Sequence, residues 1–85
     1  MTNTTIMTES SLDTREEETL RTVAERFETE EFHVHVGSTR DRRFMVYMSC
    51  DKATIGIAHT YALDLRLALT YRGIPSEIHS FNFKR

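Results

Sequence analysis

The side chains best suited to chemistry in this chain are four histidines and one cysteine. His33 and His35 alternate along a segment of period two, so both imidazoles share one strand face, a geometry a metal ion can use. His79 lies in a later strand-like segment and could join them if that strand is a neighbour. His59 sits in a helical segment and faces elsewhere. A catalytic zinc site takes three protein ligands and a structural site four. His33, His35 and His79 are therefore an incomplete ligand set, and polar positions on the less buried sheet face are the simpler reading. Cys50 ends a strand-like run before a helix start, with Lys52 nearby, which would stabilise a thiolate. A phosphatase-like loop would need an Arg where Gly56 stands, so a small buried thiol is the simpler reading. The glycines are scattered at 37, 56 and 73, with no phosphate-cradling loop and no nucleophile elbow. No catalytic residue, metal or cofactor is implied, and a non-enzymatic protein is expected.

Charge is distributed unevenly. Residues 1–31 carry nine acidic and three basic side chains, a net of −6, and residues 32–85 carry eight basic and four acidic, a net of +4. Together these give the net charge of −2. Such a dipolar domain can dock oppositely charged surfaces at either end. Arg40, Arg42 and Arg43 crowd one loop, and Lys84 and Arg85 close the sequence. With Tyr47, Phe81 and Phe83 nearby on strand-like segments, they supply the ingredients of a single-strand nucleic-acid face. The ribonucleoprotein aromatic motif and the GxxG clamp are both absent, so nucleic-acid binding is the second reading. A loop of solvated arginines balancing the acidic segment is the plainer one.

Several elements must position these residues. Residues 1–12 are mostly Thr, Ser and Asn and read as a mobile polar leader, leaving 13–85 as a single domain. Asp13 or Thr14 can cap a helix over about 14–29, with Glu16 or Glu17 as capping-box partner. Leu20, Val23, Ala24 and Phe27 form its apolar stripe. The period then switches to two. Phe32, Val34 and Val36 share one face of a first strand, and Phe44, Val46 and Met48 one face of a second. Met45 and Tyr47 lie on the far face. Asp51 can cap a second helix over about 52–72. Gly73, with Ile74 folding back on Leu69 and Pro75 beyond, ends it. Residues 76–83 make a last strand of broken alternation: Ile74 and Ile78 have one parity, Phe81 and Phe83 the other. A bulge near Ser80 or burial on both faces would account for this, and burial on both faces is the favoured expectation.

The expected fold is α+β in the order αββαβ. Its three-stranded mixed sheet has the order 2-1-3, with the last strand beside the first. In the second helix, Ile55, Ala58, Tyr61, Ala62, Leu65 and Leu69 form a broad stripe for the sheet, while Leu63, Leu67 and Tyr71 lie nearly opposite. Either the first helix covers that second stripe or a partner does. The order of elements, the charge dipole and the lack of catalytic motifs favour a small protein-binding module of inhibitor or adaptor type. It would be a homodimer, occupying a partner surface through Leu63, Leu67, Tyr71, Met45, Tyr47, Phe81 and Phe83 together with Arg40, Arg42 and Arg43. The opening residues lack a basic, then apolar, export signal, and no apolar run is long enough to span a membrane. A cytoplasmic protein with no membrane partner is expected.

Overall fold

Thr2, Thr4, Ile6 and Thr8 are buried, so the first residues belong to the core rather than to solvent. A computed structural model of the chain describes residues 2–51 and 55–83, with Ile55 and Phe83 described as backbone only. The elements are β1 (Thr2–Thr8), α1 (Thr14–Phe27), β2 (Phe32–Ser38), β3 (Phe44–Cys50), α2 (Ile55–Tyr71) and β4 (Ser76–Phe83). The four strands are antiparallel throughout in the order β2-β3-β1-β4, the split β-α-β connectivity. The expected mobile leader is therefore a central strand, and the expected three-stranded mixed sheet is a four-stranded antiparallel one. The last strand does not lie beside β2. It pairs with β1, on the opposite side of the sheet.

β1 holds its place through threonine chemistry. Thr is β-branched and suits a pleated strand, and its methyl group packs while its hydroxyl bonds. The Thr8 hydroxyl donates to the Ser10 carbonyl at 3.1 Å and accepts from the Phe44 amide at 3.0 Å. The Thr2 hydroxyl donates to the Cys50 carbonyl at 3.4 Å. Buried hydroxyls with partners avoid the cost of an orphaned polar group.

α1 begins where the sequence indicates. The Asp13 carboxylate accepts from the Glu16 amide at 2.8 Å, and the Glu16 side chain accepts from the Asp13 amide at 3.2 Å, a complete capping box. α2 ends in a Schellman motif. Gly73 takes φ +77°, its amide donates to the Thr70 carbonyl, and the Ile74 amide donates to the Leu69 carbonyl, both at 3.0 Å. The expected Asp51 cap falls against residues 52–54, outside the described residues.

Both helices cover one face of the sheet. Leu20, Val23 and Ala24 of α1, Ala62, Leu65 and Leu69 of α2, and Ile6, Phe44, Val46 and Met48 of the strands form one core. Phe32, Cys50 and Ala58 form a smaller cluster beside it, bridged by Tyr61, whose ring stacks on Phe32 at 4.1 Å. The broken alternation of the last strand has a single cause. Thr5 faces Ser80 and Ile6 faces Ile78, so His79 is an inserted bulge residue. The bulge returns Phe81 to the helix-covered face. The alternative of burial on both faces is not what the register shows.

Two outcomes follow. Leu65 is fully buried, and Leu65→Ala should destabilise by about 2–4 kcal/mol in chemical denaturation, through the cavity it leaves. Removal of residues 1–8 should abolish the cooperative unfolding transition. It takes out the strand that joins β3 to β4, whereas loss of a solvated leader would leave the transition unchanged.

Candidate functional site

α2 spans about 25 Å. One side is consumed by the core, and the other keeps large apolar side chains in solvent: Ile57 is 57% exposed, Leu63 40%, Leu67 56% and Tyr71 82%. The packing of α1 explains why. Its stripe of Leu20, Val23 and Ala24 enters the main core over the sheet, so α1 does not cover the outer side of α2. Ile57, Thr60, Asp64, Leu67 and Tyr71 follow each other at steps of three and four residues, and Leu63 borders them. Arg66 is turned aside, donating from Nε to the Ser76 carbonyl at 3.0 Å, which leaves Asp64 as the charge among these residues. Ile57 was not identified from the sequence. Its fourteen-residue step to Tyr71, which leaves the two about 40° apart around the helix, is the signal that finds it.

Both helices pack on one face of the sheet, and among the described residues no helix covers the other. There Tyr47 is 43% exposed, and its ring lies across Gly37, where an added Cβ would meet Cε2 at 3.2 Å. His35 flanks the Tyr47 ring at 6.3 Å, and the Tyr47 hydroxyl donates to the Met45 sulfur at 3.1 Å. Met45 and Tyr47 thus occupy the face the sequence assigned them. Phe81 does not join them. It sits on the helix side, with its ring edge-on to His59 at 5.6 Å. The Phe83 side chain, Lys84 and Arg85 lie outside the described residues.

The arginines of the 39–43 loop divide by role. Arg42 takes a left-handed backbone, φ +63°. Its Nε donates to the Leu12 carbonyl at 3.0 Å, its own carbonyl accepts from the Leu12 amide at 3.0 Å, and its guanidinium lies 3.6 Å from Glu17. Arg42 therefore pins the hairpin loop to the start of α1, and the expectation of three solvated arginines is corrected at this residue. Arg43 pairs with Asp41 at 3.0 Å. The Thr39 hydroxyl and then Arg43 hold the Asp41 carboxyl below its ordinary range. Arg40 is exposed, with no ion pair among the described residues.

The histidines do not converge. His33 and His35 are exposed on β2, at one edge of the sheet, and His79 forms the bulge in β4 at the other. Three strand spacings, about 14 Å, separate the two edges. His33 borders a surface pocket of about 280 Å³ with Glu30, Glu31 and Asp51. No three His, Cys, Asp or Glu side chains among the described residues are placed to hold a metal ion. Cys50 is buried in the cluster with Phe32 and Ala58, a setting for a packed thiol rather than an accessible nucleophile. Burial and the nearby Asp64 charge raise the Tyr61 hydroxyl above its ordinary range, and this hydroxyl donates to the Phe27 carbonyl. No helix among the described residues is long and apolar enough to cross a membrane.

Substitutions at Arg42 separate its two roles. Arg42→Ala loses the Leu12 contact and keeps a side chain in the left-handed region, so it should destabilise by about 1–2 kcal/mol. Arg42→Gly loses the same contact but relieves the backbone, and should cost about 1 kcal/mol less. Arg40→Ala should stay within about 0.5 kcal/mol of the parent in the same denaturation experiment. No family model matches this chain, and no curated protein matches it at a significant level.

Proposed function

We propose that this protein is a non-enzymatic protein-binding module, of inhibitor or adaptor type, that docks on its partner through the outer side of α2. The observation that carries the reading is the exposure of Ile57, Leu63, Leu67 and Tyr71 along one helix with Asp64 as the charge among them. Apolar side chains of this size left in solvent mark an interaction surface when they adjoin one another. Leu63, Leu67 and Tyr71 on consecutive turns, with Ile57 nearer the start of the helix, suit the helix-in-groove mode, in which one helical face enters an apolar cleft. The nucleic-acid reading has less support. Of the aromatic residues proposed for stacking, Phe81 is turned under α2, and of the loop arginines Arg42 and Arg43 are held by Glu17, Leu12 and Asp41.

The experiment compares the parent chain, Leu67→Glu and Tyr47→Ser as immobilised baits, each first checked for its unfolding midpoint. Leu67→Glu should leave stability within about 0.5 kcal/mol, because the side chain already meets water. It should also lose a protein that the parent and Tyr47→Ser both retain. The burial of an unpaired charge at the interface would cause that loss. Equal retention by Leu67→Glu would remove the α2 reading. Steeply salt-dependent binding of a short single strand by the parent would move the assignment to nucleic acid.

A further inference from the structure

Three acids at the start of α1 are engaged by the chain itself. Asp13 and Glu16 close the capping box, and Glu17 pairs with Arg21 at 3.1 Å and with Arg42 at 3.6 Å. Arg15, Thr19, Thr22 and Arg26 follow one another at steps of four, three and four residues, so they share a different flank of the helix. The two threonines are short, and their hydroxyls turn back onto the helix. Thr19 donates to the Arg15 carbonyl at 3.1 Å, and Thr22 to the Glu18 carbonyl at 2.9 Å. Long arginines with short threonines between them leave a shallow groove of about 340 Å³, lined by these four residues, by Glu18 and by Arg72, which follows α2. Arg15, Arg26 and Arg72 have no ion-pair partner among the described residues. The helix dipole accounts for Arg26 and Arg72, which lie at helix C-termini. It does not account for Arg15, which stands in the first turn of α1, where a cation is disfavoured.

We propose that this groove docks an acidic peptide segment of a partner protein, whose carboxylates pair with Arg15, Arg26 and Arg72. Charge and spacing identify the occupant. Three unpaired guanidiniums share the groove with one carboxylate, Glu18, so it is cationic on a chain whose net charge is −2. A guanidinium offers a planar fork of donors that a carboxylate can accept at both oxygens. Arg15 and Arg26 are eleven residues apart, about 16 Å along the helix. One small anion does not span that distance. Two carboxylates eleven residues apart on a helix, or about five apart on an extended strand, do. A nucleic-acid strand carries a phosphate at every nucleotide and would bring charge against Glu18 between the arginines, whereas a peptide can place a neutral residue there. The lining includes none of Ile57, Leu63, Leu67 and Tyr71, so this assignment and that of the outer side of α2 stand or fall independently.

An NMR titration of the isotope-labelled full chain tests the docking, because it reads affinity and place together. The probe is a synthetic helical peptide of alanine and glutamine with a pair of glutamates at each end, eleven residues apart. The controls are the same peptide with Gln or with Lys in place of Glu, and a short oligothymidine strand. The parent should bind the Glu peptide at low salt with a Kd of about 0.1–1 mM, as expected for a few exposed ion pairs. The shifted amides should be those of residues 15–26 and Arg72, and the Gln peptide should bind about tenfold more weakly. The double variant Arg15→Glu, Arg26→Glu should lose about tenfold in affinity for the Glu peptide and take up the Lys peptide instead. If the double variant does not fold, Arg15→Ala and Arg26→Ala serve in its place, each weakening the Glu peptide about threefold. Leu63→Ser should bind as the parent does. Equal binding of the Glu and Gln peptides, shifts that fall outside the groove, or arginine variants that bind as the parent does would overturn the proposal. So would tighter binding of oligothymidine at the same residues, which would make the groove a nucleic-acid site, or loss of the Glu peptide in Leu63→Ser, which would place the peptide on α2.

Discussion

The pairing of β1 between β3 and β4 is the constraint on which the rest of the structure depends. Without β1, the hairpin of β2 and β3 and the last strand share no hydrogen-bonded neighbour. With it, α1 and α2 can sit side by side over a surface wide enough to bury both apolar stripes. Ile6 lies at the centre of this surface, opposite Val46 on one side and Ile78 on the other. Thr2, Thr4 and Thr8 share its face, and the Thr2 and Thr8 hydroxyls are hydrogen-bonded where pure hydrocarbon would otherwise be expected. The first and last segments of the chain therefore meet inside the sheet, and closure of the fold is a long-range event.

The burial of β1 is also what the sequence conveys least well. The helices are legible because their signals are local: the Asp13 capping box, the Gly73 terminus and stripes of period 3.6. The β2–β3 hairpin is legible because apolar and polar residues alternate along β2, and a short polar loop leads into a second run rich in apolar residues. Thr2–Thr8 has the same alternation, but written in threonine with Ile6 as its one aliphatic side chain on the core face. A composition of Thr and Asn resembles a solvated segment until β-branching is given weight. The error propagates, since a missing central strand forces β4 into the wrong neighbour and the sheet into a mixed order. The bulge is a second non-local feature. One inserted residue, His79, moves Phe81 from the open face to the core side, and the sequence alone leaves two explanations for the parity break.

The candidate surface was legible in proportion to how far it depends on helix geometry. Leu63, Leu67 and Tyr71 follow from helical spacing, and their exposure follows once α1 is committed to the main core. Arg42 was less accessible to reasoning because its role rests on a left-handed backbone and a contact thirty residues away in sequence. The loop arginines illustrate a general point: a cluster of like charges becomes a surface only after the structural bonds are subtracted. What remains is Arg40 in the loop, and Arg15, Arg26 and Arg72 around the threonines of α1. The helix-covered face supplies the stability of this molecule. The outer side of α2, the Tyr47 face and the groove along α1 are the surfaces left for recognition.

Native-state hydrogen exchange of the backbone amides in Thr2–Thr8 tests the central structural claim most directly, because each strand amide reports whether its own bond must break before it exchanges. With β1 hydrogen-bonded on both sides, its ladder amides should exchange as slowly as those of β3, through global unfolding alone. Exchange of these amides at the rate of an unstructured peptide, while β3 stays protected, would show that the first eight residues lie outside the sheet and would contradict the fold from which both proposed surfaces are derived.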